Sequence, residues 1–114
     1  ALSMGGAVLV TGVVSDATIE ELRSFADEIK HKEKRSIAVL ATSLQDGKSS
    51  LIVSVSDELL EEGYHAGKWV KEIASAAGGG GGGKANMAQA GIADAMKIPV
   101  AFEEAKRLFI EAAK

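Results

Sequence analysis

The sequence predicts one α/β (α+β) domain of two layers, in which a small mixed β-sheet of three to four strands packs with three helices. Two observations indicate this class. Apolar runs of strand length alternate along the chain with segments of helical period. The 114 residues are also the length of one ordinary domain, so we expect residues 1–114 to form a single unit. A glycine-rich loop is expected near its end.

The first third of the chain predicts a strand followed by a helix. Ala7–Val14 is a short apolar run suited to a buried strand. Thr18 and Glu21 then have the spacing of a capping box, in which the two side chains satisfy backbone N–H groups at a helix N-terminus. Apolar residues recur at helical spacing after Thr18, and we expect this helix to end near Lys32.

The middle of the chain predicts a β-hairpin. Ser36–Thr42 and Ser50–Val55 read as strands, and Asp46-Gly47 between them is a strong turn signal because both residues tolerate positive φ. A polar stretch that favours helix begins at Asp57. The hairpin makes the predicted sheet mixed.

The last third predicts two helices separated by glycines. Ala66–Ala77 has helical periodicity, and the run Gly78–Gly83 follows it directly. The small-residue stretch Ala88–Ala93 is a candidate strand. Pro99 suits the first turn of a last helix, because its missing N–H has no intrahelical partner there.

Charge and composition limit the classes of function. The formal net charge is −3, whereas a broad nucleic-acid binder is usually basic, so any RNA contact must come from a local patch. Without cysteine there is no disulfide, thiol nucleophile or cysteine-based zinc site. No apolar run approaches the roughly 20 residues that cross a bilayer. We expect a cytoplasmic protein without membrane contact, and the start at Ala1 favours a fragment of a longer chain.

The glycine run leaves two interpretations open from its spacing alone. It is either a flexible linker or a set of exposed N–H groups, a nest, that binds an anion beside Lys84. It does not match a phosphate-binding loop of the G-x-x-x-x-G-K-[ST] type, since Ala85 stands where Ser or Thr is required. Nor does it match a dinucleotide fingerprint, because it follows a helix and not a strand.

Other charged and aromatic side chains are better explained by their place in the fold than by a binding role. A basic cluster near the end of the first helix fits a solvated helix C-terminus, with phosphate contact as the alternative; it comprises Lys30, His31, Lys32, Lys34 and Arg35. Trp69, near Tyr64 and His65, fits the core better than a base-stacking site.

No catalytic or metal site is expected from the residues alone. The two histidines, His31 and His65, have no metal-binding spacing. The adjacent pairs Glu20–Glu21, Glu61–Glu62 and Glu103–Glu104 point in different directions on their predicted helices and fit solvated surface. The residues therefore indicate a binding module.

The residues after the glycine run carry a specific resemblance. Lys84 and the segment Met87–Gly91 (MAQAG) follow the glycines, and Ala66-Gly67 begin the helix before them. This arrangement resembles the C-terminal domain of alanyl-tRNA synthetases, a member of the DHH-associated domain family, whose signature is close to GGxGGG-[RK]-P-D-M-A-Q-A-G-G. The chain departs from that signature at three positions on the loop exit: Ala85, Asn86 and Ile92.

The resemblance implies a function. Alanyl-tRNA synthetase is an ATP-dependent ligase that charges tRNA with alanine and edits mischarged tRNA, and its C-terminal domain is understood to bind the outer corner of tRNA. By resemblance, ATP, Mg and Zn belong to the parent enzyme, and this domain needs no cofactor. The implied partners are tRNA, most naturally tRNA-Ala, the upstream domains of the same synthetase and, in some members, a second copy.

The candidate tRNA-binding residues follow from the resemblance and from local charge. They are Gly78, Gly79, Gly81, Gly82, Gly83, Lys84, Gln89, Lys68 and Lys71. Two alternatives remain open: the nucleic-acid-binding domain of a DHH phosphoesterase, which carries GGGH where this chain has Lys84, and a dimerisation module in which the glycines are only flexible.

Overall fold

The structure is a computed structural model and describes residues 2–113. A single six-stranded sheet has the spatial order β1-β2-β3-β4-β6-β5. Its strands are β1 (Leu2–Met4), β2 (Ala7–Ser15), β3 (Ser36–Ser43), β4 (Ser49–Val55), β5 (Gly80–Gly83) and β6 (Met87–Ile92). The helices are α1 (Ile19–Lys32), α2 (Asp57–Glu61), α3 (Ala66–Ala76) and α4 (Ile98–Ala112), with a 3-10 turn at Ala95–Lys97.

The predicted fold class is confirmed, and most predicted elements form. β2 and β3 are parallel and joined by α1, whereas every other neighbouring pair is antiparallel, so the sheet is mixed as expected. The capping box at Thr18 and Glu21 is complete, with Glu21 N donating to Thr18 Oγ1 at 3.1 Å. Gly47 has φ +85° in the β3–β4 hairpin, and Pro99 lies in the first turn of α4.

The strand count was predicted too low. One missed strand is β1, which turns back onto β2 through Gly5 and Gly6, both with positive φ. A glycine pair between apolar residues is a hairpin signal, but the three residues of β1 are too few to show the alternation typical of a strand. The other is the glycine run itself.

The domain has three layers, not the predicted two. Helix α1 covers one face of the sheet, where its Leu22 and Ala26 pack on Leu40 and Ile52. Helices α3 and α4 cover the opposite face, where the larger core includes Ile73 and the fully buried Phe109, among other residues. The β2–α1–β3 crossover places α1 alone on its face, and periodicity along the chain does not reveal which face a helix takes.

The glycine run is an edge strand, not the predicted loop. Gly80–Gly83 pair antiparallel with β6 from Gly80↔Gly91 to Gly83↔Ala88. A nest needs successive residues in alternating helical conformations, and extended strand backbone does not provide them. Neither interpretation left open by the spacing, a nest or a flexible linker, describes Gly80–Gly83, whereas the candidate strand after the run is confirmed as β6.

Candidate nucleic-acid interface

The first glycine of the run ends helix α3. Gly78 has φ +78°, and its N–H donates to Ser75 O at 3.2 Å, while Gly79 N donates to Ala74 O at 2.7 Å. These two bonds form a Schellman motif, in which a left-handed glycine satisfies the last carbonyls of a helix. Gly78 therefore has a structural task that does not require a ligand.

Alternate glycines of the run allow the backbones of α3, β5 and β6 to approach closely. A Cβ on Gly83 would lie 2.7 Å from Ala88 Cα, and one on Gly81 would lie 2.5 Å from Ala90 Cα. By contrast, a Cβ on Gly80 would have nothing within 4 Å, and one on Gly82 would meet Lys71 Cε at 3.6 Å, an ordinary contact. Packing therefore requires Gly81 and Gly83 but leaves Gly80 and Gly82 free.

The start of α3 is held against the β5–β6 turn. Ala66 N donates to Ala85 O at 2.7 Å, and Gly67 N donates to Lys84 O at 3.0 Å. His65 precedes the helix, and its Nδ1 accepts from Lys68 N at 3.2 Å. The N–H groups of this helix N-terminus are thus occupied within the chain. They do not provide an anion site.

The outer edge of β5 has unpaired backbone groups. Lys84 N donates to Met87 O at 3.0 Å, which makes Lys84 and Met87 a hydrogen-bonded pair of the antiparallel ladder. Such pairs alternate with pairs whose N–H and C=O groups point away from each other, so Gly81 points its N–H and C=O away from β6. Among residues 2–113 no strand lies beyond β5, and Gly81 is exposed.

Three predicted lysines lie around this edge. Lys84 follows β5 directly, and Lys68 and Lys71 are three residues apart on α3, so they share one side of that helix. The Cε of Lys71 reaches β5 beside Gly82. All three side chains are exposed, and none makes an ion pair within the part of the chain that the structure describes.

Gln89 lies on the other face of the sheet, next to a residue that sequence reasoning missed. Ala88 and Ala90 point into the α3 core, so Gln89 between them points toward the α1 side. There Arg23 Nη2 of α1 donates to Gln89 Oε1 at 3.4 Å. Arg23 lies 66 positions earlier in the chain, and no spacing in the sequence connects the two.

A groove of about 480 Å³ lies beside this pair. Its lining combines part of the glycine strand, the β5–β6 turn and β6 with Arg23; the residues are Arg23, Gly82, Gly83, Lys84, Asn86, Met87, Ala88 and Gln89. The structure therefore brings together four of the predicted site residues, Gly82, Gly83, Lys84 and Gln89. It places Lys68 and Lys71 outside the groove, on α3.

The aromatic residues belong to the core, as their spacing predicted. Tyr64 and Trp69 are both buried, with ring centroids 5.9 Å apart. Burial raises the pKa of the Tyr64 hydroxyl. Neither ring is free to stack on a base.

The basic cluster at the C-terminal end of α1 is partly neutralised. Arg35 makes a bidentate pair with Glu62, and this hydrogen bonding lowers the pKa of the Glu62 carboxyl. Asp57 and Glu58 of α2 border the same surface depression as Lys30 and Lys34. The cluster is therefore a weaker candidate for phosphate contact than the lysines around β5.

The adjacent acidic residues Glu103 and Glu104 of α4 also make local contacts. Glu104 forms a bidentate pair with Arg107 at 2.7 and 2.8 Å, which lowers the pKa of the Glu104 carboxyl. The Oε1 of Glu103 lies 3.6 Å from the Nζ of Lys106. Within residues 2–113 there is no group of three or more His, Asp or Glu side chains arranged to hold a metal, and no helix is long and apolar enough to cross a membrane.

The chain is similar to known proteins in both sequence and structure. The family model described as the DHHA1 domain matches residues 5–111. An alanine–tRNA ligase of Geobacillus thermodenitrificans is 46% identical over 100 residues, which is 88% of this chain and 11% of the ligase. One from Ligilactobacillus salivarius is 43% identical over 88 residues, covering 77% of this chain and 10% of the ligase. The chain thus spans about a tenth of the length of these relatives.

A solved structure agrees with the sequence relatives. The crystal structure of the C-Ala domain from Aquifex aeolicus alanyl-tRNA synthetase superposes with a TM-score of 0.81 and 28% identity, covering 98% of this chain and 96% of that one. The resemblance inferred from Lys84 and Met87–Gly91 is thereby confirmed. The chain belongs to the DHHA1 domain family, and the form it resembles is the C-terminal domain of alanyl-tRNA synthetase.

Proposed function

We propose that this domain binds tRNA as part of an alanine–tRNA ligase and catalyses no reaction itself. The observation that carries the proposal is the arrangement around β5, where an all-glycine edge lies among Lys68, Lys71 and Lys84. Its relatives are alanine–tRNA ligases, which supports tRNA as the polyanion that this edge meets.

The edge has the chemistry that a sugar-phosphate backbone requires. Without side chains, β5 lets a phosphate oxygen reach the outward N–H of Gly81, and the lysines add charge that contributes to affinity for any sequence. Because the whole chain carries a net charge of −3, this attraction acts only near the edge.

The parent protein is proposed to be a cytoplasmic, ATP-dependent ligase for alanine and tRNA-Ala. The bound ATP, Mg and Zn of such an enzyme would belong to parts outside this chain, and the partners of this domain would be tRNA and those parts. The ligase relatives favour this role over that of a phosphoesterase domain.

Binding of tRNA-Ala at several salt concentrations tests the proposal. Lys84→Ala removes one cation, and we expect weaker binding and a slope of log affinity against log salt that is shallower by about 1. Gly82→Val adds bulk at a position where a Cβ meets no backbone, so we expect a folded domain with weaker binding.

Lys106→Ala is the matched control, because Lys106 lies on α4 and pairs with Glu103. It should leave both affinity and slope close to those of the unmodified domain. Unchanged tRNA affinity in Lys84→Ala and Gly82→Val would remove β5 as the binding surface, and an absence of tRNA binding in the unmodified domain would overturn the proposed function.

A further inference from the structure

The groove beside Arg23 lies on a part of the sheet that no helix of residues 2–113 covers. On that face α1 packs over β3 and β4, while Gln89 and Gly91 of β6 are exposed. The groove volume of about 480 Å³ falls within the range of small-ligand sites, roughly 300–1,000 Å³. It can therefore admit one nucleotide.

The hydrogen bond between Arg23 and Gln89 fixes the polarity of the groove. A guanidinium only donates, so the Gln89 atom that faces Arg23 must be the carbonyl oxygen Oε1. The Gln89 amide then directs its NH₂ away from Arg23, and the remaining N–H groups of Arg23 are also donors. The pair consequently presents several N–H donors, against one remaining lone pair on Gln89 Oε1.

The rest of the lining suits an unstacked nucleotide. Met87 is half-buried against the α1 core and offers an apolar surface to one face of a base. Lys84 stands at the turn, within reach of a phosphate, and Gly82 and Gly83 let the nucleotide backbone approach. No acidic residue lines the groove, and Arg23 makes no ion pair among the described residues.

We propose that this groove binds a single unstacked guanine nucleotide of the RNA, with Arg23 and Gln89 donating to O6 and N7 of the base. This inference rests on the proposed RNA-binding function and adds a base preference to it. Guanine presents two adjacent acceptors, O6 and N7, on its major-groove edge, and both match the N–H donors of Arg23 and Gln89. Adenine presents a donor at N6 beside the acceptor N7, so in the same pose N6 would face an N–H donor of the pair and only N7 would be matched.

Dimethyl sulfate footprinting of tRNA-Ala tests this directly, because the reagent methylates N7 of guanine. With saturating domain, we expect one loop guanine to be protected. Arg23→Met and Gln89→Met should each lose that protection at protein concentrations that still saturate the tRNA. Both side chains are exposed, so neither variant should unfold the domain. Lys32→Met, which removes a charge from the same helix outside the groove, should keep the protection.

Replacing the protected guanine with adenine supplies the second measurement. We expect affinity to fall roughly fivefold or more, the lower end of what a contact with two hydrogen bonds to one base provides, and the penalty to disappear in Arg23→Met. Bound tRNA without a protected guanine, or protection that persists in Arg23→Met, would overturn this inference and leave the proposed function standing. A failure of tRNA to bind at all would instead count against the proposed function.

Discussion

Gly67 and Gly83 meet where helix α3 crosses the glycine strand, and a Cβ on Gly67 would lie 2.6 Å from the carbonyl oxygen of Gly83. That distance is far below any contact that a methyl group tolerates with backbone, so the two glycines fix how closely α3 approaches β5. The same approach carries Lys71 over the strand and brings Lys68 beside the turn at Lys84. The contact between Gly67 and Gly83 therefore serves the packing of α3 and also positions the lysines of the proposed binding surface.

Gly67→Ala should destabilise the domain even though Ala normally stabilises a helix interior by roughly 1 kcal/mol relative to Gly. The added methyl must displace the Gly83 backbone, and overpacking of this kind costs about 1–3 kcal/mol. Chemical denaturation measures the change. Gly80→Ala is the control: its Cβ meets nothing within 4 Å, so we expect unchanged or slightly higher stability. Equal stability of the two variants would contradict the close approach.

Ser54→Ala should raise stability by about 1 kcal/mol. The Ser54 hydroxyl is buried on β4 and has no hydrogen-bond partner among residues 2–113, which is a cost that Ala removes. Ser56→Ala provides the comparison, because Ser56 Oγ accepts from Ser36 N at 3.0 Å in an equally buried position. That variant should lose about 1–3 kcal/mol. A loss of stability in Ser54→Ala would show that its hydroxyl has a partner, such as an ordered water.

The Arg35–Glu62 pair should make part of the stability sensitive to acid. Hydrogen bonding from Arg35 holds the pKa of Glu62 below its ordinary value of 4.5 in the folded state. A lowered folded pKa stabilises the fold above the unfolded pKa, and that stabilisation is lost as pH falls through the folded pKa. Denaturation of the unmodified domain and of Arg35→Met should therefore differ more at pH 7 than at pH 3. If the difference in stability between the two proteins is the same at pH 3 as at pH 7, the Arg35–Glu62 pair does not stabilise the fold.

Much of the fold could be predicted because caps, turns and prolines determine the local conformation of the residues next to them in the sequence. The capping box at Thr18, the turn at Gly47 and the proline of α4 each stabilise the element in which they lie. The glycine run could not be interpreted in this way, since glycine has no side chain to show a period of two. Its strand conformation comes from pairing with β6 and from the contact with Gly67.

The candidate site also combines residues that are close in the sequence with residues that only the fold brings together. Lys84 and Gln89 could be proposed from the sequence because they lie in one continuous segment with a recognisable pattern. Arg23 was missed because only the crossover through α1 brings it across the sheet to Gln89. Lys68 and Lys71 of α3 lie near the glycine strand but outside the groove that the turn and Arg23 form.

Amide hydrogen exchange at Gly81, resolved by NMR with and without saturating tRNA-Ala, tests the central claim most directly. The N–H of Gly81 points away from β6, whereas those of Gly80 and Gly82 point toward it. If the glycine edge faces tRNA, exchange at Gly81 slows on binding, while Gly80 and Gly82, already bonded in the ladder, change little. Unaltered exchange at Gly81 in the tRNA-bound domain would contradict the account.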